Sequence, residues 1–159
     1  MSALLLVLWV PLALSVGYLL VFAVAGRLRR LPTPPAGARL RTAVLLPAYR
    51  EDAVIAASAR EALRQDYPPD RFDVIVIADG LQPETLGDLR ALGVQVVEVA
   101  FERSTKAKAL RAALATFAPG QYETVVVLDA DNVMAPDALA RLDDARTEAA
   151  VVQGRRVAK

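Results

Sequence analysis

The first 26 residues carry no charge, and the remaining 133 carry all 37 of them. Twenty-one of those 26 residues are apolar, so a lipid-soluble start precedes a water-soluble body. At about 1.5 Å per residue, the run from Ala3 to Gly26 would span roughly 36 Å as a helix, against a hydrocarbon core of about 30 Å. Residues 1–26 therefore read as a transmembrane helix, in which Pro11 and Gly17 are tolerated. A cleaved signal peptide is the alternative, and Ala23-Val24-Ala25 has the small-x-small pattern of a cleavage site. Against it, no Lys or Arg precedes the run, which is also longer than a signal peptide's apolar region.

Arg27, Arg29 and Arg30 come directly after the run, and positive flanks are retained on the cytoplasmic side. Residues 27–41 hold five arginines, no acid, and Pro32, Pro34 and Pro35, which reads as a stiff, basic cytosolic linker. Residues 42–159 then hold 14 basic and 18 acidic residues, a net charge of −4. A mildly acidic domain lacks the basic face that nucleic-acid binding needs. The chain has no cysteine and no histidine. That excludes disulfides, thiolate nucleophiles and Ser-His-Asp catalysis, and leaves any metal to oxygen ligands.

Four apolar, β-branched runs recur in the body: Ala43–Leu46, Val74–Ala78, Val94–Ala100 and Val125–Leu128, with a weaker fifth at Ala149–Gln153. Helical patterns separate them. Ile55, Ala59, Ala62 and Leu63 share one helix face, as do Leu110, Leu114 and Phe117. Pro83–Leu92 reads as a short helix, and Leu139 with Leu142 marks another after the start signal Pro136. Strands alternating with helices predict parallel pairing through right-handed crossovers. Runs apolar throughout are those of strands covered on both faces. The expected fold is an open, doubly wound, mostly parallel α/β sheet over residues 42–159.

In such sheets ligands bind beyond the carboxyl ends of the strands. The first strand runs into Pro47-Ala48-Tyr49-Arg50-Glu51-Asp52, and the second into Asp79-Gly80. The third leads to Ser104-Thr105-Lys106, and the fourth to Asp129-Ala130-Asp131-Asn132. Polar and ionisable residues stand at all four ends. If the last strand continues through its acids, Asp129 and Asp131 point the same way. Such a pair repels itself unless a cation intervenes, and oxygen ligands suit Mg²⁺ or Mn²⁺, which commonly join carboxylates to a substrate's phosphates. No GxxxxGK or GxGxxG loop comes after any strand, so a metal would take over the handling of a diphosphate. Each residue also has a structural explanation. Asp79 before a glycine suits a turn, Glu51 suits a helix start, and Lys106 suits a solvated helix face.

Taken in order, these residues resemble the nucleotide-sugar half of a family 2 glycosyltransferase, a group whose membrane-anchored members include cellulose, chitin and hyaluronan synthases. The resemblance covers about residues 42–157. Pro47-Ala48-Tyr49-Arg50-Glu51 is similar to the family's Pro-Ala-Tyr-Asn-Glu opening, and Asp79 to its nucleobase-reading aspartate. Lys106-Ala107-Lys108-Ala109-Leu110 is similar to Gly-Lys-x-x-Ala-Leu, and Asp129-Ala130-Asp131 to the Asp-x-Asp motif. The resemblance implies a GT-A type fold and an inverting transfer of sugar from a nucleoside-diphosphate donor, a UDP-sugar above all. It implies a lipid or glycan acceptor in polysaccharide synthesis. Pro47, Ala48, Tyr49, Glu51, Asp79, Lys106, Asp129 and Asp131 would hold the donor, with Asp131 and Asp129 holding Mg²⁺ or Mn²⁺.

Arg50 stands where the family has asparagine, Arg111 where many relatives have asparagine, and Gly80-Leu81-Gln82 where Ser/Cys-Thr-Asp is common. The family's catalytic carboxylate and its Gln-x-x-Arg-Trp acceptor motif lie downstream of the matching region, so these 159 residues are expected to be a donor-binding fragment without the base. Two other readings stand beside this one. A haloacid-dehalogenase-type phosphatase would use Asp129 as nucleophile in Asp129-Ala130-Asp131-Asn132-Val133. A membrane-tethered nucleotide-binding module would catalyse nothing.

Overall fold

The computed structural model describes residues 3–28, 39–146 and 149–155. It divides into two units, Met1–Thr33 and Pro34–Lys159. The first holds one helix, α1 (Ala3–Leu28), which contains Pro11. The Ser15 hydroxyl donates to the Pro11 carbonyl at 2.9 Å. From Trp9 to Leu28 every side chain is exposed, Trp9, Leu14, Leu20 and Phe22 included. Trp9–Leu28 is long and apolar enough to cross a membrane. Of the basic collar, residues 29–38 lie outside the described residues.

The second unit is a four-stranded parallel sheet: β1 (Thr42–Tyr49), β2 (Phe72–Asp79), β3 (Gln95–Val99) and β4 (Thr124–Val127), in the order β3-β2-β1-β4. Helices α2 (Asp52–Ala62), α3 (Pro83–Ala91), α4 (Lys106–Leu114) and α5 (Ala138–Ala145) come after the four strands in turn. Alternation along β1 sorts the core into two layers. Val44, Leu46 and Ala48 face Ile55 and Ala59 of α2, Leu89 of α3 and Leu139 of α5. Ala43 and Leu45, with Ile75 and Ile77 of β2, face Ala109 and Ala113 of α4. The expected doubly wound α/β sheet is thus present.

Three local expectations give way to packing. The buried face of α4 is Ala109 and Ala113, while Leu114 is exposed and Leu110 and Phe117 only half-bury. Small residues let the helix lie close on the sheet, and the larger ones fall to its flanks. Strand β3 buries none of its residues fully and leaves Gln95 and Glu98 exposed because it is an edge strand, and β4, also at an edge, leaves Val125 and Val127 exposed. Among the described residues, only the central pair, β1 and β2, is covered on both faces. The fifth apolar run, Ala149–Gln153, forms no strand, and Val151 within it is 87% exposed. Its apolar residues gain nothing from pairing without a layer to cover them.

Two arginines of the collar are tied into this unit. Arg39 donates to Asp144 at 2.7 Å and lies over the Tyr67 ring. Arg41 pairs with Asp73 at 2.6 Å and lies over Tyr122. Beneath Arg39, the buried Tyr67 hydroxyl lies 2.8 Å from the Leu40 carbonyl and 3.0 Å from Asp143 and shares its one hydrogen between them. This network fastens the chain entering β1 to α5.

Candidate functional site

The strand order reverses at β1. The chain steps outward from β1 to β2 to β3, then returns through α4 to place β4 on the other side of β1. At such a switch point the loops after β1 and β4 diverge and leave a crevice at the carboxyl edge. A cleft of about 480 Å³ lies there. All eight residues singled out from the sequence line it. Pro47, Ala48 and Tyr49 come from the end of β1, with Glu51 at the start of α2. Asp79 ends β2, Lys106 begins α4, and Asp129 and Asp131 lie after β4.

Register explains the left wall. Tyr49 pairs with Asp79 across the β1–β2 ladder, and the Arg50 N–H continues it to the Asp79 carbonyl at 3.0 Å. Arg50 then turns the chain away at φ 55°, and Gly80 does so on the adjacent strand at φ 69°. A Cβ on Gly80 would meet the Arg50 side chain at 3.3 Å, so the glycine makes room for it. The Arg50 guanidinium lies 5.2 Å from the centre of the Tyr49 ring, which is half exposed at the mouth of the cleft. Asp79 itself is 6% exposed, and the Ser104 hydroxyl donates to its carboxylate. Its neighbour Asp52 accepts from the Gln82 N–H at 2.8 Å and the Thr85 hydroxyl at 2.7 Å. Those bonds, the backbone one first, hold the Asp52 carboxyl below the ordinary carboxylate range and pin the loop after β2 to α2.

The right wall differs from its expected geometry. Strand β4 ends at Val127, and Asp129–Asn132 is a turn closed by the Asn132 N–H on the Asp129 carbonyl at 3.0 Å. Strand alternation therefore does not orient the two acids; the turn does, and both still line the cleft. One side chain of α2 and one just past its end hold this segment. Ser58 donates to the Ala130 carbonyl at 2.5 Å, and Gln65 bonds the Ala135 carbonyl at 3.0 Å and the Leu139 N–H at 3.1 Å. Across the cleft, the Lys106 ammonium is ion-paired with Asp129, whose other oxygen accepts from Asn132 at 3.3 Å. Thr105 caps α4, accepting from the Lys108 N–H.

Sequence reasoning did not assign roles to Ser104, Thr105 or Ser58. Ser104 and Thr105 stand beside Lys106 at a strand end and were legible by position. Ser58 sits inside an alanine-rich helix and carries no signal of its own. The donor set suits a divalent cation held partly by a ligand: two carboxylates in one turn, with no group of three acidic residues among the described residues.

Comparison with known proteins agrees with this architecture. No curated protein matches the chain. Among solved structures, a mannosyltransferase from Pyrobaculum calidifontis, bound to GDP-mannose and Mn²⁺, superposes with a TM-score of 0.67 at 29% identity, over 84% of this chain. This chain spans 41% of that protein's length. TarS from S. aureus superposes with a TM-score of 0.57 over 75% of this chain and 38% of its own, a likeness of fold alone at 20% identity. The family model described as glycosyltransferase-like family 2 matches residues 38–158, three quarters of the chain. That match removes the ground for the phosphatase reading. The chain belongs to the glycosyltransferase-like family 2.

Proposed function

We propose that this chain is the donor-binding part of a membrane-anchored, inverting glycosyltransferase that uses a nucleoside-diphosphate sugar with Mg²⁺ or Mn²⁺. The observation that carries the reading is convergence: four loops, from four strands, bring an aromatic ring, buried and exposed carboxylates and one ammonium into a single cleft at the switch point. The mannosyltransferase bound to GDP-mannose and Mn²⁺ shares this fold over most of the chain and lends the reading further support.

In this reading Asp79, with Glu51 and Tyr49 nearby, holds the nucleoside. The Asp79 carboxylate accepts from a base N–H, and the Ser104 hydroxyl keeps it oriented. Pro47 and Ala48 supply the floor. Lys106 meets the diphosphate as a point charge. Asp131 is the metal ligand, and Asp129 holds the metal or the ribose. The cation, when bound, stabilises the charge that grows on the departing diphosphate. The base that deprotonates the acceptor hydroxyl is supplied from outside residues 1–159, so this stretch binds donor and transfers little sugar. The α1 helix anchors the enzyme, and Arg27 with the arginines after it keeps the sheet domain on the cytoplasmic side. The acceptor is a lipid or a growing glycan, as in relatives of cellulose, chitin and hyaluronan synthases.

The donor base is uracil in this reading, and the test compares it with guanine. Calorimetric titration of the full chain in detergent, with UDP and with GDP, is run with and without Mn²⁺. Tighter UDP binding with Mn²⁺, lost in Asp131→Asn, is the expected result. Tighter GDP binding would move the base assignment to guanine, and affinity indifferent to Mn²⁺ for both nucleotides would overturn the metal-assisted reading.

A further inference from the structure

The ion pair between Lys106 and Asp129 joins two elements that come from opposite sides of the sheet's switch point. One partner is the first residue of α4, and the other stands in the turn after β4. Both side chains are about half exposed, at 50% and 44%. Pairs this open to water are weak and exchange readily for stronger partners. The next lysine is engaged elsewhere: Lys108 donates to the Arg103 carbonyl at 2.9 Å and lies over the Phe101 ring. Lys106 is thus the α4 lysine whose ammonium reaches Asp129 in the cleft.

Resting on the donor-site reading above, we propose that Lys106 is a built-in counter-ion that makes metal binding at Asp129 and Asp131 conditional on a diphosphate. With the cleft empty of ligand, the ammonium neutralises Asp129 and competes with any divalent cation for its oxygen. Among the described residues no cluster of three acidic side chains offers a cation a fuller set of ligands. A metal arriving alone therefore meets one carboxylate already paired and a positive charge beside it. A diphosphate changes both terms at once. Its oxygens are a better partner for the ammonium than a single carboxylate is, so Lys106 leaves Asp129, and they complete the coordination that two carboxylates cannot. By linkage the metal must then tighten the diphosphate by the same factor. Lys106 acts here as a positioning residue toward the cation.

The experiment counts bound Mn²⁺ by the loss of its free-ion electron paramagnetic resonance signal, using the full chain in detergent. Without nucleotide, Lys106→Met is expected to raise Mn²⁺ affinity by about tenfold over the unaltered chain, within the range of ordinary coupling factors. Lys106→Arg, which keeps the charge, is expected to stay near the unaltered value. With UDP or GDP present, the gain in Mn²⁺ affinity is expected to be smaller in Lys106→Met than in the unaltered chain. Should Lys106→Met fail to fold, inorganic pyrophosphate with the unaltered chain carries the test, and equal Mn²⁺ binding with and without it overturns the proposal. If nucleotide promotes Mn²⁺ binding but Lys106→Met binds Mn²⁺ alone no better, the counter-ion role is wrong and the donor-site reading survives. If Mn²⁺ binds under no condition, the donor-site reading fails and takes this inference with it.

Discussion

Ser58, buried midway along α2, donates its hydroxyl to the carbonyl of Ala130, the residue between the two acids of the cleft. A helix packed under the sheet therefore sets the position of the turn that carries Asp129 and Asp131. Ser58→Ala removes the donor and leaves the carbonyl buried, which should cost about 1 kcal/mol of stability. The measurement is urea unfolding of the variant, paired with its Mn²⁺-dependent nucleotide affinity. Both should fall, because the turn loses a fixed point as well as a bond.

Two glycines, one after a strand and one within a helix, should respond in opposite directions. Gly80 has φ 69°, and a Cβ there would meet Arg50 at 3.3 Å, so Gly80→Ala should destabilise by about 1–2 kcal/mol. Gly87 lies inside α3 with nothing within 4 Å of an added Cβ. Gly87→Ala should stabilise by about 0.5–1 kcal/mol through helix propensity. Thermal unfolding of the two variants side by side checks the pair of signs.

Burial raises the Tyr67 hydroxyl above its ordinary value, with Asp143 beside it adding to the rise. Burial, then Asp73, does the same to Tyr122. A raised pKa in the folded chain means stability that is intact below the unfolded tyrosine value of about 10 and is lost as pH climbs through the folded one. Tyr67→Phe should cost about 1 kcal/mol at neutral pH through its lost hydrogen bonds. The double variant with Tyr122→Phe should flatten the alkaline limb of a stability-against-pH curve.

Asp52 contributes to the acid limb. Its carboxyl is held low by the Gln82 N–H and the Thr85 hydroxyl, so its contribution is present above the usual carboxylate range of about 4 and is lost as pH falls through the folded value. Asp52→Ala should lower stability at neutral pH and make the loss in acid less steep. Urea midpoints measured from neutral to acid pH give the slope directly.

The strands and their order of chemistry were readable because burial on both faces writes itself as unbroken apolar runs, as in Val44–Leu46 and Val74–Ile77. The residues that line the cleft were readable because a parallel sheet gathers the residues just past its strand ends, so Tyr49, Asp79, Lys106 and Asp129 needed only their positions in the chain. The edge character of β4 was not readable: Val125–Val127 looks as apolar as the central strands, and only neighbours decide that Val125 and Val127 stay exposed, whereas β3 announces its edge through Gln95 and Glu98. Nor was the α4 face, where Leu114 promised the core and Ala109 with Ala113 occupy it.

The sequence by itself determined the alternation of elements, the parallel sheet and the set of residues at its carboxyl edge, because periodicity and strand-end position are local properties of a chain. Only the tertiary structure decided which side chains hold one another: Ser58 on Ala130, Tyr67 on Asp143, Lys106 on Asp129. These partners lie far apart in sequence, and the forces that join them act over a few ångströms once packing has brought them together.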